Sequence, residues 1–311
     1  MTIPVDYAMQ AVKGIKKSFD NAVQNKLQEY KLNGVINFYD TSEITEIFTS
    51  TEGLSGSTPL SLLETPPTLK LEDGYSISIT EGRFGGSMLL PEQVYRRDGR
   101  DNTLKVDQYL TRLRNQLLID NVHLLLTRAF DMLNESFSSG SAHLAPDGVE
   151  VCGVHNWRSG GSFTNAGTKA LSIEAIDELE EYAGDFTDPG GKPMPLNFST
   201  IVVKKGSQAY REAIRLFAKG ITPTSVNDIN IYEGTYNIVA TPYITTANKN
   251  KWWALDLSRY GSPLAVGVGE YPTMRDPIRE SNEAIRSNVT GFWKQGVINM
   301  PFQIWGSDGT T

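Results

Sequence analysis

Two stretches of the chain repeat apolar residues every three or four positions, the period of a helix buried along one face. In residues 5–30 the stripe is Ala8, Val12, Ile15, Phe19, Val23 and Leu27, and Asn33-Gly34 punctuates its end. Two readings of this helix stand. It is an arm that orders against a neighbouring copy, or it docks on its own subunit. The second stretch runs from Asn102 to Glu135. Val106, Leu110, Leu113, Leu117, Leu124 and Phe130 lie on or near one face, and Leu118, Val122, Leu125 and Leu126 widen it. No Gly or Pro interrupts it, and Asp101 or Asn102 can cap its start. Such a helix is roughly 50 Å long, more than an ordinary compact domain needs.

Between these helices the period drops to two. Thr68–Thr80 alternates apolar and polar residues around Glu72-Asp73-Gly74, with Leu69 and Leu71 before and Tyr75, Ile77 and Ile79 after. Asp-Gly favours a tight turn, so the pattern predicts a hairpin turning at Asp73-Gly74. Thr49–Ser61, rich in Ser, Thr and Gly, reads as a loop. A lone hairpin buries too little to be stable in water, so it needs a partner surface. If that surface belongs to another copy, deleting Thr68–Thr80 spares the fold of one subunit.

Residues 146–265 alternate helix and strand patterns. Ser172 caps a helix to about Ala183, with Ile173, Ile176, Leu179 and Tyr182 on one face. Asp188-Pro189-Gly190-Gly191 is a turn, Thr200–Val203 a strand, and Ser207 caps a helix to about Ala218, closed by Gly220. Strands follow at Tyr236–Ile244 and Lys251–Leu257, and Leu264–Trp305 shows short strand patterns with Phe292, Trp293, Phe302 and Trp305. This mixture predicts an α/β or α+β unit.

Composition narrows the function. Of 311 residues, 39 % are hydrophobic and 21 % charged, an ordinary soluble balance. The net charge of −7 and the lack of a basic patch argue against phosphate-tracking nucleic-acid binding. One cysteine, Cys152, rules out an intramolecular disulfide. No signal peptide and no membrane span are expected, so the default compartment is reducing and cytosolic.

The chemical candidates are weak. Ser159–Lys169 is Gly-rich and precedes a helix, but Gly161 and Gly167 lack phosphate-loop spacing and Thr168 precedes Lys169, so a flexible loop is expected. Cys152 and His155 have metal-ligand spacing without further ligands; His123 and His143 lie elsewhere. No third group orients a Cys–His pair, and no Gly-x-Ser-x-Gly elbow is present. Glu178, Glu180 and Glu181 read as a solvated helix face. Val266-Gly267-Val268-Gly269 lacks the rest of a dinucleotide fingerprint. No catalytic, cofactor-binding or metal residue is nominated, and no enzyme is expected.

The order of elements resembles a tailed-bacteriophage major capsid protein of the Hong Kong 97 type, and most nearly the Mu-like major head subunits. Leu69–Glu81 with Arg83–Leu90 resembles the family's hairpin and return strand. Asp147–Asn156 resembles the opening of its next domain. Leu171–Tyr182, Asp188–Pro195 and Thr200–Val203 resemble its helix, turn and buried strand. Asn237–Tyr243, Lys251–Asp256 and Phe302–Ser307 resemble its later strands. The resemblance implies an α+β capsid fold with an N-terminal arm (1–48), an extended hairpin loop (49–90) and a peripheral domain (91–145 and 266–311) with spine helix 102–135. Residues 146–265 become an axial α/β domain.

It also implies partners. Copies of the chain assemble as pentamers and hexamers into an icosahedral head around double-stranded DNA, which the chain encloses without sequence-specific binding. Portal, scaffolding and decoration proteins are further partners; a membrane is not. The location is the virion, with assembly in the host cytoplasm. Lys70 lies where some relatives carry a cross-linking lysine, but nothing identifies an asparagine partner. The alternatives are an encapsulin-like nanocompartment shell with the same fold, and an α/β enzyme without a local motif.

Overall fold

The computed structural model describes residues 5–54, 65, 71–96, 102–218, 232–258 and 261–310. In chain order the first elements are α1 (Val5–Leu32), β1 (Asn37–Asp40), β2 (Thr45–Leu54), β3 (Leu71–Thr80), β4 (Gly82–Leu90), α2 (Glu92–Arg96) and α3 (Asn102–Asn134). Then come β5 (Val154–Asn156), β6 (Ser162–Thr164), β7 (Ala166–Gly167), α4 (Ile173–Asp185), β8 (Thr200–Lys204), α5 (Gln208–Phe217), β9 (Asn237–Thr241) and β10 (Trp252–Leu255). Last are β11 (Leu264–Met274), β12 (Ile278–Arg279), β13 (Ile285–Val297) and β14 (Ile304–Ser307).

The long helix forms as one piece, α3. Its apolar stripe buries Leu110, Leu117, Leu118 and Val122, and near its end Leu125, Leu126, Ala129, Phe130, Met132 and Leu133 are all buried. The end is fixed by polar bonds as well. Asn134 donates to Tyr243 O at 3.0 Å and accepts from Thr245 N at 2.9 Å, and Trp253 donates to the Ser136 hydroxyl at 3.0 Å. The alternative cap Asp101 lies outside the described residues. Of the two readings of the first helix, the docked one holds: Val12, Phe19, Val23 and Leu27 are buried in the core that α1 shares with α3 and β11.

The predicted hairpin is corrected. β3 runs straight through Asp73-Gly74 and pairs antiparallel with β2, from Thr45↔Thr80 to Leu54↔Leu71, with register shifts near Thr51. Asp73-Gly74 is therefore not the turn; Thr68, Leu69 and Lys70 lie outside the described residues. Gly74 serves packing, not turning. A Cβ there would sit 2.3 Å from the Ser50 hydroxyl and 2.9 Å from Glu52 Cγ. The loop expected from Thr49 is β2 as far as Leu54.

Two mixed sheets organise the rest. In the first, β1 runs parallel to β11, which pairs antiparallel with β13; β12 continues along the same side of β13, and β4 takes its other side. The short strands expected from Leu264 are thus two long ones, bent where the register shifts between Val268 and Thr273. The second sheet has the order β7-β14-β10-β8-β9. It is covered on both sides, so the middles of its strands are apolar on both faces. Val202, Trp253, Leu255 and Ile304 face the core around α3. Ile201, Val203, Trp252 and Ala254 face a second core under α4 and α5.

Both predicted caps form. Ser172 accepts from Ala175 N at 3.3 Å and Ser207 from Tyr210 N at 3.1 Å. Ile173, placed on the apolar face of α4, is instead 49 % exposed, while Ala175 takes the buried position. Gly220 lies outside the described residues.

Candidate assembly surface

β2 and β3 form a ribbon outside both sheets, each strand paired only with the other. Among the described residues it is fastened to the body at two levels. At its base, Glu46 on β2 pairs with Lys294 on β13 at 3.2 Å, although the lysine side chain has no exposed surface. Lys294 also donates to Glu43 O at 2.6 Å, and the Tyr39 hydroxyl donates to Glu46 at 2.6 Å; Thr41 donates as well. Burial pushes the Glu46 carboxyl upward, but the bonds from Thr41, Tyr39 and Lys294 and the lysine charge outweigh it and hold it below its ordinary value. Burial and the bond to Glu46 raise the Tyr39 hydroxyl. Beside this network Ile79 is buried against Gly296.

The outer fastening uses Glu52, which is buried. Its carboxylate accepts from Arg158 N at 2.7 Å, Ser159 N at 2.7 Å and the Ser159 hydroxyl at 2.8 Å. Successive backbone N–H groups aimed at one point form a natural carboxylate receptor. The receptor is the turn between β5 and β6, closed by Trp157 N to Gly161 O at 3.0 Å and possible because Gly160 and Gly161 adopt φ of 107° and 90°. The Arg158 guanidinium donates back to Gly74 O at 3.1 Å. Between the fastenings Phe48 packs edge-on against Tyr39, with ring centroids 6.2 Å apart, while Ile47 is 72 % exposed; Ile44, just before β2, is 68 % exposed.

The residues weighed as chemical candidates are not brought together. Cys152 is buried against Gly306, and burial pushes its thiol up to about 12. His155 is buried, with Nδ1 3.0 Å from Asp147 and Nε2 3.2 Å from Val151 O, and stacks on Phe163. Burial would raise the Asp147 carboxyl, but its bond to His155 and that ring's charge bring it below its usual range. His143 lies against Gln295 and His123 against Tyr243. Gly267 makes room for the Tyr39 hydroxyl and Gly269 for Glu81, which explains that glycine pair inside a strand.

Two expectations change here. The Gly-rich stretch is not a flexible loop. It carries β6, β7 and the fully buried Asn165, whose amide lies 2.9 Å from each of Val151 O, Pro301 O and Ile304 O and whose Oδ1 accepts from Gly153 N at 2.9 Å. The acidic face of α4 is engaged rather than merely solvated: Glu178 pairs with Lys169 at 3.1 Å, and Glu180 accepts from Tyr236. Glu46, Glu52, Lys294 and Asn165 escaped sequence reading. Their one signal was a charged or polar residue inside an otherwise strand-forming or Gly-rich run.

Comparison with solved structures follows this geometry. A chain of Microbacterium phage Oxtober96 superposes with a TM-score of 0.51 at 9 % identity, over 88 % of this chain and 89 % of that one. A chain of Mycobacterium phage Patience gives 0.49 at 11 % identity, over 94 % and 87 %. A chain from the capsid of an empty GTA particle gives 0.49 at 10 %, over 89 % and 88 %. The mixed α+β fold resembles that of the Microbacterium phage Oxtober96 chain. No protein-family model matches the sequence, and no curated protein matches it.

Proposed function

We propose that the chain is the major subunit of a tailed-phage head. Copies of it assemble as pentamers and hexamers into an icosahedral shell that encloses double-stranded DNA. The supporting observation is the likeness to a phage chain over nearly the whole length of both partners. The ribbon adds physical support: a long two-stranded element with Ile47 exposed on it and Ile44 exposed just before it is a surface suited to a second copy. A net charge of −7 suits a container that must not grip its cargo.

On this reading the subunit has a structural role without catalysis, resides in the virion and is assembled in the host cytoplasm. It meets portal, scaffolding and decoration proteins there. We place it in the Hong Kong 97 class, nearest Mu-like subunits on the resemblance of its local stretches. α1 fills the arm segment 1–48 while docked on its own subunit, the ribbon belongs to the extended hairpin loop, α3 to the peripheral domain as its spine, and β7–β10 to the axial domain, whose sheet takes in β14 from the peripheral segment 266–311.

Negative-stain microscopy of the purified chain tests the reading. Closed spherical shells are expected, and a chain that stays monomeric or dimeric under every assembly condition sinks it. The nanocompartment alternative separates on cargo: small cages filled with protein rather than DNA favour it.

A further inference from the structure

The ribbon's two fastenings differ in kind. The base couples an apolar contact, Ile79 against Gly296, to a salt bridge whose lysine is fully buried. Opening it would strand a charge away from water, so it acts as a permanent root. The outer fastening is a single carboxylate held by two backbone N–H groups and one hydroxyl, with the Arg158 bond to Gly74 O beside it. Tyr75 adds one partly buried ring against the second core. Each of those polar groups can exchange its partner for water. Between root and outer fastening, Phe48 meets the Tyr39 ring edge-on at 6.2 Å, while Ile47, Thr49, Ser76 and Ser78 are exposed and, among the described residues, their side chains make no bond to the body; the Thr49 and Ser76 hydroxyls bond each other at 3.0 Å.

We infer that Glu52 and the Arg158–Ser159 turn form a releasable latch, and that the ribbon opens as one unit about its rooted base. Local opening of this kind occurs where a segment has few buried contacts and a small number of closing bonds. In the closed form the latch holds the ribbon on its own subunit. On the shell reading above, on which this part rests, the open form is the one that reaches a second copy. The latch is then an autoinhibitory contact that keeps the free chain from premature association.

The test is amide hydrogen exchange on the unassembled full-length chain and on Glu52→Ala. Amides of residues 45–50 and 74–78, together with Arg158 and Ser159, should exchange at least about tenfold faster in the variant. Those of β8 and β10 should be unchanged, which also reports that the variant folds. Glu52→Gln, isosteric but uncharged, and Ser159→Ala, which removes the hydroxyl alone, should give smaller increases in the same amides. Unchanged ribbon exchange in all three variants overturns the latch, whether or not shells form. If shells form, Arg158 and Ser159 amides should lose protection in the shell, and Glu52→Ala should assemble faster. Retained protection there, or slower assembly, makes Glu52 a fixed brace and overturns the inference. Failure of every chain to form shells counts against the proposed function instead.

Discussion

Ile79 Cδ1 lies 2.5 Å from the point where a side chain on Gly296 would begin. This contact joins the ribbon's root to β13, and no positive φ confounds a substitution at Gly296. Gly296→Ala should therefore act by overpacking and destabilise by about 1–3 kcal/mol. Ile79→Ala in the same chain should relieve most of that. A double-mutant cycle by urea unfolding checks it; additive effects would mean the two residues do not meet as described.

Asn165 ties together the segments at 151–153 and 301–306 from a fully buried position. Asn165→Ala leaves buried carbonyls and the Gly153 N–H without this partner and should destabilise by about 3 kcal/mol or more. Asn165→Asp should be worse, because it aims a carboxylate at three carbonyl oxygens. Thermal or chemical unfolding of the two variants gives the order.

The Glu46 carboxyl is held below its ordinary value of 4.5 in the folded chain. Its contribution to stability is therefore fully present above that value, and is lost as pH falls through the lowered folded value. Glu46→Gln should lower stability at neutral pH and flatten the acid branch of the stability profile. Asp147, lowered in the same direction, keeps some of the slope. Unfolding midpoints measured from pH 7 down to pH 3 on both chains decide it.

Cys152 should be unreactive toward thiol reagents at pH 8 while the chain is folded, since burial both blocks access and raises its thiol to about 12. One equivalent should titrate in denaturant. Rapid labelling of the native chain would show that the second sheet opens at Gly306, between β7 and β10.

Elements closed by local chemistry were legible in the sequence. Ser172 and Ser207 mark their helices because a cap acts within three residues, and α3 shows in its stripe because each turn repeats it. Asp73-Gly74 misled because a turn dipeptide and a glycine cleared for a cross-strand neighbour look alike; only the position of Ser50 and Glu52 separates them. Lys294 occupies a polar position of an alternating strand, so its burial depends on Tyr39 and Glu46 arriving from far away in sequence. The receptor for Glu52 is made of backbone N–H groups, which no side-chain pattern reveals. Asn165 sits in a Gly-rich run whose order comes from β14, a strand far along the chain.

The placement of β14 sets the timetable of synthesis. It lies between β7 and β10, yet every other strand precedes it in sequence. In the first sheet, β1 and β4 likewise wait for β11 and β13. A nascent chain can form α3 early, but neither sheet can close until residues 264–307 have left the ribosome. Translation at about 5–20 residues per second makes that wait long compared with helix formation. An interrupted chain therefore lacks a strand from the interior of the second sheet and cannot complete it.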